Sequence, residues 1–390
     1  MLWYFLFSFA LSEITEPTEK LLIKKADGGS QFYRIPAIVL APDNKTLVTA
    51  TDKRWESILD LPRKIDVVIQ YSEDGGLTWS PAQTITPGKS DPKGYGDPLL
   101  IVDRQIGAIF CMFTGNQGTF ESSSKWDNSQ HLYYCVSYDN GHTWSDMEDI
   151  TAMLYGERCT DPVRKNYKSL FLSSGNGLQL RSGRLLVAAV VRPKTTNSLS
   201  VYVVYSDDHG KTWTMSTYGA THAGDESKLV ELNNGSVLMS VRRRPNRAFI
   251  ISNDGGVTWG KEWNHPEVKD PACNGDLIRY TSTKDGYDKD RLIHTLLYSG
   301  TGSADRKNLT IMISYDEGNT WPVKKVIYGS WAIYSSVTFD PATGLIYVYW
   351  EKSIDNTVGA GCNMVLTTLT LDWITDGQDT YTPPSPQKQN

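Results

Sequence analysis

No apolar run in the chain approaches the roughly 18 residues that a membrane-spanning helix needs, so no span is expected. Cysteine is scarce. Cys111, Cys135, Cys159, Cys273 and Cys362 make five, none in a CxxC pair, so at least one is unpaired and disulfides are not the framework. The six histidines fall in no ligand spacing, which predicts neither a metal nor a cofactor. Basic charge is also short: Lys and Arg number 39 against 44 Asp and Glu, a net charge of −5 that argues against a nucleic-acid surface. Long amphipathic helical periodicity is missing as well. What remains is rich in glycine, proline and aromatics, with Phe, Trp and Tyr at 11% of the chain, and it predicts an all-β class.

One pattern, Ser-x-Asp-x-Gly-x-Thr-Trp, is written five times, beginning at Ser72, Ser137, Ser206, Ser252 and Ser314. The copies from Ser72, Ser206 and Ser314 each follow a β-branched and aromatic run, so they read as strands entering hairpin turns. In each turn the Asp accepts backbone N–H groups, the Gly permits a positive φ, and the Trp covers apolar surface. These five aspartates are therefore structural. A unit repeated at intervals of this length, with strands around it, marks a radial β array, and one such array uses nearly the whole chain.

Met1 to Leu11 is almost wholly apolar and Ala10-Leu11-Ser12 resembles a cleavage site, which points to a leader and a secreted, extracellular or lumenal protein. If that segment packs on the domain instead, a cytoplasmic location follows. Residues 1–19 are read as leader and N-terminal segment, 20–378 as a single domain expected to act as a monomer, and 379–390 as a polar, Pro-rich, frayed tail.

Charge stands on strand-like sequence at several places. Arg34 lies in Phe32-Tyr33-Arg34-Ile35-Pro36 ahead of an apolar strand, where a buried charge needs a partner. Asp52 to Asp60, holding Arg54, follows the strand Thr46 to Ala50, and Asp97 precedes a proline. Glu226 stands sixteen residues before Arg242, across a hairpin, with Arg243, Arg244 and Arg247 as rivals to that arginine. Arg306 opens the strand into the last box, Tyr334 sits in a Ser/Tyr segment, and Glu351 ends the last strand. The polar stretch Gly115 to Gln130 reads as a long surface loop of the kind that borders sites.

The Arg34-Ile35-Pro36 motif together with the five boxes resembles the exo-sialidases (neuraminidases) of the bacterial and eukaryotic cellular type, over roughly Lys20 to Thr370. The resemblance implies a six-bladed β-propeller that cuts terminal sialic acid from glycoproteins, glycolipids and oligosaccharides. It implies that Arg34, Arg242 and Arg306 bind the substrate carboxylate, that Tyr334 is the nucleophile and Glu226 its base, and that Asp60 is the general acid/base. Arg54 and Asp97 become pocket residues near the 4-hydroxyl and N-acetyl side, and Glu351 the carboxylate that holds Arg34. Trp126 and Leu178 are candidates for the apolar N-acetyl pocket. Asp66 competes with Asp60, but its place in a strand favours a structural role. Guanidinium forks suit a carboxylate, and a neutral phenol avoids the repulsion that an anionic nucleophile would meet beside that carboxylate. Two other readings stay open: a transferase passing sialic acid to galactosides, with Trp331 or Trp126 at the acceptor, and a non-catalytic sialic-acid-binding propeller.

Overall fold

Continuous apolar runs dominate the strands. Leu185–Arg192 reads Leu-Leu-Val-Ala-Ala-Val-Val-Arg, and every residue but Arg192 is buried, the pattern of a strand covered on both faces. The computed structural model describes residues 15–88, 93–116, 118, 120, 122–123, 125–193, 199–298, 305–357 and 359–384. The proposed leader, Met1 to Leu11, lies outside them.

Such strands form five sheets. The first runs Phe32–Leu40, Leu47–Arg54, Ile65–Ser72, Gln83–Thr84. In the second, Gly94–Asp103, Ala108–Asn116, His131–Ser137 and Glu148–Asp149 follow in order, with Gly175–Asn176 added parallel to the first of them. Ser169–Leu172, Leu185–Arg192, Ser200–Ser206 and Thr214–Met215 make the third, and Ser227–Glu231, Val237–Val241, Asn246–Ser252 and Trp263–Lys269 the fourth. The fifth has seven strands, because the 17-residue Val323–Phe339 serves two neighbours. Its first half pairs with Lys307–Ser314, and from Ala332 onward it pairs with Ile346–Ser353. At its far edge Thr18–Ile23 pairs with Cys362–Leu369, so the two ends of the described chain share one sheet.

The sheets meet in a ring. Phe32–Leu40 touches Gly94–Asp103, Ala108–Asn116 touches Ser169–Leu172, and Leu185–Arg192 touches Ser227–Glu231. Contacts then pass through Asp276–Thr281 and Val323–Phe339 back to Phe32–Leu40. Five apolar clusters fill the spaces between sheets. Helix is confined, among the described residues, to Thr151–Leu154, Leu371–Ile374 and brief 3-10 turns.

All five boxes follow strands, including those from Ser137 and Ser252. The turn is wired identically each time. In the first box the Ser72 hydroxyl donates to Asp74 at 2.9 Å, and Asp74 accepts from Thr78 N at 2.8 Å and Thr78 Oγ1 at 2.6 Å. Gly76 donates its N–H to Ser72 Oγ with φ +88°, a conformation that disfavours a side chain. Trp79 and Trp144 also donate to their box glycine carbonyls at 3.0 and 3.1 Å, whereas Trp213 and Trp321 are buried in core clusters. The box carboxylates are thus consumed by their own turns.

Three boundaries differ from the sequence reading. The second strand reaches Arg54, carrying Asp52 and Arg54 within the sheet, because cross-strand pairing to Ile65–Ser72 continues that far. The folded domain begins at Thr18, ahead of residue 20. It also includes the start of the supposed tail. Asp379 is buried and bonds Arg291 at 2.7 Å, and Tyr381 packs on Tyr280 while donating to the Pro341 carbonyl at 2.7 Å. One buried carboxylate and one aromatic clamp outweigh the polar composition around them. All five cysteines are buried and free.

Candidate active site

Local irregularities in the strands aim the charged residues. Between Arg34 and Ala37 the first strand shifts register, with Ile35 at φ +60° and Pro36 lacking an N–H. The next sheet repeats the device: register shifts between Gly96 and Leu99, with Asp97 at φ +58° before Pro98. Positive φ at a β-branched Ile is costly and persists only where neighbours hold it. Here the hold is Glu351, wholly buried, which accepts from Ile35 N at 2.5 Å, Arg34 Nε at 2.7 Å and Tyr334 N at 2.9 Å.

These bulges open onto a cleft of about 1320 Å³. Arg34, Arg242 and Arg306 line it together with Tyr334, Glu226, Asp60 and Asp97. The three guanidinium carbons stand 5.2, 5.9 and 5.7 Å from the centre of the Tyr334 ring, for Arg34, Arg242 and Arg306 in turn. The Tyr334 hydroxyl donates to Glu226 Oε2 at 2.7 Å and accepts from Arg242 Nη1 at 3.0 Å. Arg242 also ion-pairs with Glu226. Arg306 has no ion-pair partner among the described residues, leaving its fork free. Asp60 is 74% exposed at the cleft and pairs with Arg54 at 2.7 Å.

Residues 59–348 match the family model described as a BNR repeat-like domain. A sialidase of Micromonospora viridifaciens is 34% identical over 357 residues, which are 85% of this chain and 53% of that protein. The chain belongs to the sialidase family. It spans about half the length of the Micromonospora sialidase (53%). Among solved structures, the Hadza microbial sialidase Hz136 aligns with a TM-score of 0.80 at 25% identity, covering 91% of this chain and 69% of that one. The intramolecular trans-sialidase from Ruminococcus gnavus has a TM-score of 0.75 at 19% identity, covering 91% and 98%, and shares the fold.

Within this cleft the electrostatics sort the acids. Burial pushes the Tyr334 phenol well above its usual pKa, and Glu226 adds to that against the pull of Arg242 and Arg306. The phenol is therefore neutral and has a carboxylate against it. Burial opposes the charge on Arg34, yet Glu351 outweighs it and holds that guanidinium charged. Arg54 faces three carboxyl groups, Asp52, Asp60 and Asp97, and one cation does not neutralise three anions. Burial raises Asp97 well above the carboxylate range, with Asp52 and Asp60 adding to the rise. Burial also lifts Asp52, to about 6. Partial loss of water against the cleft wall pulls Asp60 upward, but Arg54, Arg34 and Arg306 prevail and its pKa is lowered. In the free protein Asp60 therefore gives up its proton more readily than an ordinary carboxyl, and Asp97 less readily.

Some expected residues sit elsewhere. Arg54 does not line the cleft: it is fully buried, bonding Asp52 at 2.9 Å and Asp60 from behind. Trp126 faces a separate small pocket, and Leu178 pairs with Leu186 and packs in a core cluster, so neither forms the cleft wall. Glu351 acts from beneath Arg34 and is not a lining residue. Asp66 accepts from Trp55 Nε1 at 2.6 Å and Thr86 Oγ1 at 2.9 Å, inside the sheet. Of the rival arginines, Arg243 pairs with Glu262 and the buried Arg247 with Asp270.

Other residues went unnoticed in the sequence. Phe120, Phe171 and Leu199 give the cleft an apolar wall, with Gln130 and Arg192 beside them. One of two aromatics in the polar stretch Gly115 to Gln130, the other being Trp126, Phe120 was signalled only by its apolar ring among polar neighbours. Ser174, fully buried, donates to Glu226 Oε1 at 3.3 Å and accepts from Asn274 Nδ2 at 3.0 Å. That chain holds the second oxygen of Glu226 while the first receives the phenol.

Proposed function

We propose that the protein is a retaining exo-α-sialidase acting on terminal sialic acids of glycoconjugates, on a six-bladed propeller. The blade count rests on dividing the seven-stranded sheet at Trp331–Ala332, where Val323–Phe339 changes partners. The observation that carries the function is the 2.7 Å bond from Tyr334 to Glu226 beneath three guanidiniums.

The substrate carboxylate docks on Arg34, Arg242 and Arg306, which brings the anomeric carbon over Tyr334. The phenol oxygen attacks that carbon as Glu226 takes its proton, and Asp60 protonates the departing glycosidic oxygen. Water then adds to the anomeric carbon, giving a proton to Asp60, while Glu226 returns its proton to the leaving Tyr334 oxygen. A Tyr nucleophile is a known exception among glycosidases, which ordinarily pair two carboxylates. Asp60 gains its proton on binding: the incoming carboxylate cancels part of the arginine field that keeps it ionised. The apolar wall of Phe120, Phe171 and Leu199 suits an N-acetyl methyl. We take hydrolysis over transfer as the proposal; among the described residues Trp331 and Trp126, the aromatics considered for an acceptor, are not in the cleft lining.

The test is trapping with a fluorinated sialosyl fluoride and peptide mapping. The adduct is expected on Tyr334, and Tyr334→Phe should lose most hydrolysis with its fold intact. An adduct on Asp60 or Glu226, or full activity in the Phe variant, overturns the assignment. Labelled galactoside added to the reaction should remain unsialylated.

A further inference from the structure

On the other side of the segment that walls the cleft lies a second cavity, of about 180 Å³. Phe120 and Gln130 of that segment face the cleft, whereas Lys125 and Trp126 face the cavity. Tyr155, which also lines the cavity, donates its hydroxyl to the Gln130 carbonyl and ties the two walls together.

Three lysines, Lys125, Lys165 and Lys168, line this cavity against one lining acid, Glu157. None of the three lysines has a side-chain partner among the described residues. Surplus positive charge of this kind stands out on a chain of net charge −5. The aromatic wall is braced by its neighbours. Trp126 carries the Arg158 guanidinium 4.4 Å from its ring centre and meets His131 edge-on at 4.5 Å. His131 is itself fixed by Asp149 at 2.7 Å. Tyr167 is held by its hydroxyl bond to Tyr202 at 3.1 Å.

Unpaired ammonium groups are point charges that accept an anion in several orientations, and held aromatic rings offer apolar surface to the C–H groups of a sugar. At about 30 Å³ per water the cavity takes the volume of about six waters, a single hexose-sized ring. We propose that this cavity is a secondary, non-catalytic subsite for one acidic sugar residue, its carboxylate or sulfate held by Lys125, Lys165 and Lys168. The site is built from residues apart from the cleft chemistry, and its occupancy does not depend on what the cleft hydrolyses.

Equilibrium binding of methyl glucuronide, glucose 6-sulfate, methyl glucoside and inorganic sulfate is compared between the full chain and its Lys125→Ala/Lys165→Ala/Lys168→Ala variant. The cleft is intact in both, so the difference isolates the cavity. Binding of at least one acidic sugar should weaken fivefold or more in the variant and with added salt, and the stronger of the two identifies carboxylate or sulfate as the preferred group. The neutral glycoside should bind neither protein. Turnover of a small fluorogenic sialoside should stay within twofold. Equal acidic-sugar binding by both proteins, or equal binding of the neutral glycoside, overturns the proposal. Inorganic sulfate binding as tightly as the sulfated sugar reduces the cavity to a bare anion site and equally overturns it. Should the triple variant fail to fold, the exposed Lys165→Glu alone must show the loss, and Lys165→Arg must retain binding; failure of that pair refutes the subsite.

Discussion

Removing Glu351 tests how the cleft is held open. Its carboxylate, with no solvent exposure, serves Arg34, the strained Ile35 N–H and the Tyr334 N–H at once. Glu351→Ala leaves a buried guanidinium unpaired, a loss of about 3–5 kcal/mol when one partner of a buried ion pair is deleted. With an unfolding entropy of about 2.1 cal/mol/K per residue, 390 residues give roughly 0.8 kcal/mol/K, so Tm should fall by roughly 4–6 °C. Activity should suffer separately. Arg34 loses the bond that orients its fork, and a misplaced charged hydrogen bond costs about 1.5–3 kcal/mol. That converts to a fall in kcat/KM of about 10- to 150-fold. Calorimetry and initial rates on a fluorogenic sialoside measure both effects. Pairing the change with Arg34→Leu should recover much of the stability, since no buried charge remains, while leaving activity low. A stability loss below about 1 kcal/mol, or an unchanged kcat/KM, would refute the account of Glu351 as the common anchor of Arg34 and Tyr334.

Four further outcomes follow from the site and its supports. Because substrate cancels part of the field that depresses Asp60, the basic limb of kcat should lie at higher pH than that of kcat/KM; coincident limbs in pH–rate profiles count against it. In the same vein, Asp60→Asn should harm sialyl-lactose far more than an aryl sialoside whose leaving group needs no proton, and finding that pattern in Asp97→Asn instead moves the acid role to Asp97. Ser174→Ala frees one oxygen of Glu226, so kcat should fall about tenfold with KM little changed, and Ser174→Thr should restore part of it if the hydroxyl is what matters. Arg291 and Lys289 bring Asp379 to about 2 against the opposing pull of burial, so between that value and the ordinary carboxylate range the unfolded chain binds more protons. Stability from Asp379 is therefore present above about pH 4 and lost toward about pH 2; acid denaturation of Asp379→Asn should show a shallower slope there.

Features written within a few residues were readable in the sequence. Each box closes its bonds inside eight residues, so Ser, Asp, Gly and Thr at fixed offsets announce the turn. Features that depend on which way a strand faces were not. Arg54 and Asp60 stand six residues apart and both carry charge, yet only Asp60 meets the cleft, because strand pairing continues to Arg54 and buries it. Residue identity alone does not report that choice. The apolar wall joins Phe120, in the loop after Ala108–Asn116, to Phe171 in the next sheet; their rings meet at 5.2 Å, a contact set by how the ring of sheets closes. Arg34 and Glu351, separated by 317 residues, were linked by family resemblance, since no local pattern couples them. Tyr381 was concealed by the polar residues that surround it.

The strand Thr18–Ile23 pairs with Cys362–Leu369, bringing Thr18 opposite Thr368. A polypeptide made from its N-terminus holds this strand unpaired until Cys362–Leu369 has been synthesised. Closing a loop of that length costs entropy that only pairing with Cys362–Leu369 repays, so this sheet is a late event in folding and the exposed edge of Thr18–Ile23 is a hazard until then. The same closure leaves the two ends of the domain side by side. A permuted chain that joins them and opens at an exposed box turn should still fold, with its last strand drawn from a different sheet.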